Sequence, residues 1–221
     1  MIRVANKEKL KLSQSDATIN GWAIENRLYA EDPYRNFLPS IGRLTRYRPP
    51  EEFESAEYVI RNDTGVFEGG EISMYYDPMI AKLCTWAPTR EKAIEQMREA
   101  LDGFEVEGIG HNLPFLSAVM DHPRFIKGDI TTAFIEEEYT EGFVGVELAE
   151  EELMRIAASC AAMNRVAEIR RTKISGRMDN HERRVGDDWI VTLQNKKYEL
   201  KIVADHLGST VQFKDGAKIR V

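Results

Sequence analysis

The sequence predicts an α+β chain: an antiparallel sheet backed by helices, followed by a long helix with the beginning of an antiparallel β-barrel. Three observations predict it. Between residues 21 and 86, runs of alternating apolar and polar residues are joined by short turns, which suits antiparallel neighbours. From 90 to 101 the apolar period becomes that of a helix. From 148 to 171 the helical pattern is at its longest, and every run after it reads as strand.

Residues 1–19 read as a trailing piece, with Ile2, Val4 and Ala5 finishing a helix that has no cap ahead of it. The first strand is 21–30. Its alternation puts Glu25 and Arg27 on one face, where they can pair. Pro33 ends it, having no N–H to give to a ladder. Residues 42–47 read as a second strand, the acidic stretch Glu51, Glu52, Glu54 and Glu57 as a solvated loop, and 58–62, 72–76 and 79–86 as further strands. Over 90–101, Ala93, Ile94, Met97, Ala100 and Leu101 form one helical stripe, with Thr89 as N-cap and Gly103 as stop. Residues 104–109 form a strand, and 112–120 and 131–139 form short helices separated by His122-Pro123.

From Glu136 to Glu152 there are eight glutamates and no basic residue, with Gly142 and Gly145 inside the span. This composition shift sets the expected boundary between a domain at 1–140 and another at 141–221. The helix over 148–171 carries Leu153, Ile156, Ala157, Cys160, Met163 and Ala167 on one face, and Ala161, Val166 and Ile169 widen it. So broad an apolar arc predicts a helix wrapped by strands. Glu150, Glu151 and Glu152 open it and Arg170 and Arg171 close it, as the helix dipole favours. Strands at 189–193, 198–203, 210–213 and 218–221 follow, with turns at Asn195-Lys196, Leu207-Gly208 and Asp215-Gly216. The last strand has no closing element, so the sequence reads as a fragment at both ends.

Composition narrows the function. The chain has 221 residues, 43% of them apolar and 30% charged, which is globular material. No apolar run reaches membrane-spanning length and no apolar leader opens the chain. Cys84 and Cys160 are isolated, so a reducing compartment is the simpler expectation. His111, His122, His181 and His206 are scattered without ligand spacing, and no metal site is expected. No Gly-rich phosphate loop is present: Gly69-Gly70 has no lysine after it. The formal charge of −7 gives no general attraction to nucleic acid. The basic stretch from Arg165 to Arg184 holds seven Lys or Arg against three acids, but it lacks aromatic residues. It reads as a solvated or subunit-facing linker.

Arg61 is the chemically odd residue. It sits in the strand pattern Tyr58-Val59-Ile60-Arg61-Asn62-Asp63, after apolar residues, where a sheet can hold its guanidinium as a fixed fork for a small oxyanion. Ala23-Ile24-Glu25-Asn26-Arg27-Leu28-Tyr29-Ala30-Glu31-Asp32-Pro33, Phe37-Leu38-Pro39-Ser40, Tyr75-Tyr76-Asp77-Pro78-Met79-Ile80-Ala81-Lys82-Leu83, Thr89-Arg90-Glu91-Lys92-Ala93-Ile94, Glu107-Gly108-Ile109 and Asn112-Leu113-Pro114-Phe115-Leu116 follow in a fixed order. On that series, residues 1 to about 136 closely resemble the C-terminal part of the biotin carboxylase module of biotin-dependent acyl-CoA carboxylases. The propionyl-CoA-directed branch of that family is the nearest in Asp77-Pro78-Met79-Ile80 and in the helix after the boundary. Residues 141–221 resemble the first part of the family's next domain, a barrel around one helix that holds the carboxyltransferase subunit.

The resemblance implies a share in ATP- and bicarbonate-dependent carboxylation of biotin. ATP, Mg2+ and the biotinyl lysine belong to regions of the family outside this segment, so no cofactor-binding residue is expected here and the isolated chain is expected to be inactive. Arg61 aligns with the family arginine that steadies the bicarbonate-derived anion and the biotin enolate, and is the one catalytic residue implied. The family usually carries a glycine-rich run before that arginine, where this chain has residues 50–55 without glycine; Asn26 stands where cysteine is common and Ile41 where proline is common. The implied partners are the carboxyltransferase β subunit and the biotin carboxyl carrier domain, with self-association left open and neither nucleic acid nor membrane involved. The implied location is the cytoplasm of a bacterium or the mitochondrial matrix. The alternative is a non-catalytic scaffold or subunit-interaction domain.

Overall fold

The computed structural model describes residues 1–175, 183–206 and 208–221. The chain divides into two compact units, Met1–Val146 and Glu147–Val221. The turn expected at Leu207-Gly208 and part of the basic stretch, His181 included, lie outside the described residues.

In the first unit the elements run α1 (Ile2–Ala5), β1 (Trp22–Tyr29), β2 (Glu31–Asp32), β3 (Leu38–Pro39), β4 (Gly42–Arg43), β5 (Arg46–Arg48), β6 (Phe53–Glu54), β7 (Val59–Thr64), β8 (Glu71–Ile72) and β9 (Met79–Ala87). Then come α2 (Arg90–Asp102), β10 (Glu105–Glu107), α3 (Leu113–Asp121), α4 (Pro123–Lys127) and α5 (Phe134–Glu138). The main sheet is antiparallel with strand order β1-β9-β7-β6. Short pairs β2-β3, β4-β8 and β10-β5 surround it.

The inner face of this sheet is largely apolar because side chains alternate between faces along each strand. Leu28 of β1 and Ala81, Leu83 and Ala87 of β9 are buried, and α2 covers them with Ala93, Ile94, Met97, Ala100 and Leu101. All five residues of the expected helical stripe are therefore in the core. Thr89 caps α2, its hydroxyl accepting the Lys92 N–H, and Gly103 follows the last turn. The buried Thr85 hydroxyl donates to the Ala93 carbonyl at 2.9 Å, so its polar atom is not left unpaired where β9 meets α2.

Three short readings are corrected by pairing. Residues 42–47 do not form one strand: β4 pairs with β8 while β5 pairs with β10, so the run changes partner at Leu44 and Thr45. The run 72–76 is strand only at its start, and Met74, Tyr75 and Tyr76 are exposed because no neighbouring strand among the described residues takes up their backbone. The acidic stretch is not merely solvated: Phe53 and Glu54 pair with β7, and the Glu52 carboxylate accepts the Asn62 N–H at 2.8 Å.

The second unit comprises α6 (Glu150–Thr172), β11 (Asp188–Leu193), β12 (Lys196–Asp205), β13 (Gly208–Phe213) and β14 (Lys218–Arg220). The strands pair in sequence order, β11-β12-β13-β14. Their inner face, Tyr198, Leu200, Ile202, Val211 and Phe213, packs on α6 through Leu153, Ala157, Ala158 and Ala161. The long helix and the sheet that follows it are present, but the expectation that strands wrap the helix needs correction. Among the described residues β11 and β14 do not pair with one another, so the sheet stays open and covers one side of α6. The covered side is the alanine-rich one. Ile156 is 38% exposed, Met163 71% exposed, and Cys160 is also exposed, because the short alanine side chains let the strands approach and leave the longer ones on the flank.

Candidate functional site

Arg61 lies on β7, on the face of the main sheet opposite to α2. The register places Arg61 across from Cys84 and Cys84 across from Glu25. One step along, Asp63 lies across from Lys82 and Lys82 across from Arg27. Residues two apart on a strand share a face, and directly opposed residues share it too. Two rows of three side chains therefore stand together on the outer face. They hold three cations, two carboxylates and one thiol.

Within this face, Arg61 is forked onto Asp63. Its Nε donates to Asp63 Oδ1 at 2.9 Å and its Nη2 donates to Oδ2 at 2.6 Å. Lys82 Nζ stands 4.0 Å from the same Oδ2. The bidentate bond from Arg61 holds the Asp63 carboxyl below the usual carboxylate range, with Lys82 adding to it. The same bond raises Arg61 above its ordinary value, so it stays a cation throughout the working range of any enzyme. On β1, beyond β9, Arg27 Nε lies 3.6 Å from Glu25 Oε1, the pairing that the alternation predicts, and Arg27 Nη1 donates to the Tyr29 hydroxyl at 3.1 Å. Burial pushes the Cys84 thiol up, and Glu25 adds to this, which favours the neutral thiol over the thiolate.

This arrangement can bind an anion. A guanidinium has five N–H groups, and Asp63 takes two, so three remain to be donated. The Arg61 side chain is 65% exposed, so those donors reach the space above the sheet. Sequence reasoning placed Arg61 but missed Asp63 and Lys82 as its companions. The Arg61–Asp63 spacing of two within a strand was a usable signal, whereas Lys82 needed the register.

The residues do not suit a nucleotide–metal centre. No group of three His, Cys, Asp or Glu side chains among the described residues is placed to hold a metal ion. Gly69-Gly70 turns between strands and opens no helix. Among the described residues, no helix is long and apolar enough to cross a membrane.

Residues 25–137 match the biotin carboxylase C-terminal domain family, and the chain belongs to it. Residues 156–221 match the propionyl-coenzyme A carboxylase BT domain. The chain is 69% identical over 236 aligned positions to the propionyl-CoA carboxylase alpha chain of Ruegeria pomeroyi, covering 100% of this chain and 35% of that one. It is 46% identical over 163 positions to the mitochondrial propionyl-CoA carboxylase alpha chain of Homo sapiens, covering 72% of this chain and 22% of that one. The biotin carboxylase domain of the Hydrogenobacter thermophilus 2-oxoglutarate carboxylase, solved with MgADP, ADP and bicarbonate, matches with a TM-score of 0.57 and 43% identity. That match covers 62% of this chain and 29% of that one. The chain thus spans about a third or less of the length of these relatives.

Proposed function

We propose that this chain is the carboxylase-lobe and subunit-contact part of a propionyl-CoA carboxylase alpha chain, with Arg61 acting in the carboxylation of biotin. The observation that supports it is the tandem of two family matches, residues 25–137 and 156–221, on the two compact units of the structure. ATP and Mg2+ are assigned to no residue of this segment. Bound elsewhere in the alpha chain, they supply the activation of bicarbonate. Arg61 offers its three free N–H groups to the bicarbonate-derived anion and to the negative charge that develops on biotin. It acts by charge, because a guanidinium does not give up its proton near neutrality. The second unit holds the carboxyltransferase β subunit, and the carrier domain brings biotin to Arg61. The location that follows is the bacterial cytoplasm or the mitochondrial matrix.

The test is made in the full-length alpha chain assembled with its partner. Arg61→Ala lowers the biotin carboxylation rate about a hundredfold and leaves the KM for ATP unchanged. Arg61→Lys stays impaired, since an ammonium lacks the planar fork. A rate for Arg61→Ala within about twofold of the unaltered enzyme, worth only about 0.4 kcal/mol, overturns the assignment.

A further inference from the structure

Asp63 takes no part in the chemistry proposed above, yet it sets the direction in which the Arg61 guanidinium points. We infer that Asp63 is a positioning residue for the carboxylation step, holding the Arg61 fork so that its remaining donors face an anionic reactant of the carboxylate class above the sheet. The inference rests on the assignment of Arg61 to that step.

The geometry carries it in three ways. Arg61 and Asp63 are separated by one residue on β7, so both side chains leave the same face of a strand whose backbone is held by β9 on one side. The bond is bidentate, at 2.9 and 2.6 Å, and it uses the Nε edge of the guanidinium. A bidentate bond fixes the plane of the group as well as its position, where a single bond would let it swing. The side left over, both N–H groups of Nη1 and one of Nη2, then points away from the carboxylate.

Asp63 is itself held. Its carboxylate lies between two cations, Arg61 and Lys82, with Lys82 contributed by the adjacent strand at the directly opposed position. Two other carboxylates lie nearby without bonding Arg61: Glu25, beyond Cys84 in the neighbouring row, pairs with Arg27, and Glu52, whose charge also reaches Arg61, accepts the Asn62 N–H. Thus Asp63 is the carboxylate that orients Arg61, and Lys82 places a second positive charge beside the same spot. An exposed arginine without such a partner would lose its orientation to rotamer freedom each time an anion arrived.

The experiment uses the full-length alpha chain in its assembled enzyme, assayed with ATP, bicarbonate and free biotin. Asp63→Asn, which keeps the shape but removes the charge, lowers kcat for biotin carboxylation about tenfold, in line with loss of a charge-assisted bidentate bond. The KM for ATP and the thermal midpoint stay where they are. Asp63→Glu, which keeps the charge, recovers part of the loss. The double variant Arg61→Ala with Asp63→Asn is no slower than Arg61→Ala alone, because a residue that acts through another adds nothing once the other is gone. An unaltered or increased rate for Asp63→Asn overturns the inference, as does a double variant slowed by the product of the two single effects. If Arg61→Ala itself keeps its rate, the assignment of Arg61 fails. If Arg61→Ala is slow while Asp63→Asn is not, the positioning inference alone fails.

Discussion

The Asn112 side chain binds the backbone of Tyr29 and of Arg27, two residues earlier on β1. Its Oδ1 accepts the Tyr29 N–H at 2.9 Å, and its Nδ2 donates to the Arg27 carbonyl at 3.1 Å. The Asn112 backbone N–H also donates to the Tyr29 carbonyl at 3.2 Å. The amide therefore serves β1 as a neighbouring strand would, along the edge that β9 does not occupy, and joins that edge to the start of α3. Asn112 is buried, so water cannot replace it. Asn112→Ala leaves backbone groups unpaired, at a cost of about 1–3 kcal/mol each, and Asn112→Asp falls between, because a carboxylate can accept from Tyr29 but cannot donate to Arg27. Denaturant unfolding of the three proteins gives this order, and equal stability of Asn112→Ala and the parent would contradict it.

The isolated 221-residue chain is expected to hydrolyse no ATP in the presence of bicarbonate and free biotin. The described residues include no metal-binding cluster, and the sequence has no Gly-rich phosphate loop. Bicarbonate-dependent phosphate release from the pure protein would refute this.

Asn26 is buried on the inner face of β1, and its Nδ2 has no hydrogen-bond partner among the described residues. A buried donor left unpaired costs stability, and cysteine is similar in volume without that donor. Asn26→Cys is thus expected to raise stability by about 1 kcal/mol, read as a higher urea midpoint at unchanged slope. A lower midpoint would show that the amide is paired in solution.

Burial holds His111 below its ordinary value of 6.5, with a hydrogen bond from the imidazole to the Val106 backbone and the charge of Asp32 acting the other way. The unfolded chain takes up a proton near pH 6.5 that the folded chain refuses until a lower pH. Stability contributed by the neutral imidazole is therefore complete above pH 6.5 and falls as pH drops below it, levelling off beneath the folded value. His111→Gln removes this part of the slope. Thermal midpoints between about pH 7.5 and about pH 5 compare the two proteins, and parallel curves would contradict the assignment.

In the second unit, Ile202 is 1% exposed and Ile156 is 38% exposed. Ile202→Ala should cost about 2–5 kcal/mol through lost transfer energy and a cavity, and Ile156→Ala under about 1 kcal/mol. Equal losses would show that the outer flank of α6 is covered in solution.

Much of this was legible in the sequence. The period of two put Glu25 and Arg27 on one face, and the helical period put Ala93, Ile94 and Met97 on another, since periodicity alone determines which residues share a face. The ordered motifs determined the family. Periodicity does not say which strand lies beside which. Thus Arg61 and Asp63 could be paired by spacing, while Lys82 and Cys84 joined them only through the register of β7 on β9. The same limit applied at α6, where the apolar arc was too wide to show which part would be packed. The tertiary structure chose the Ala157, Ala158 and Ala161 side, because strands approach small side chains most closely, and left Ile156 and Met163 outside.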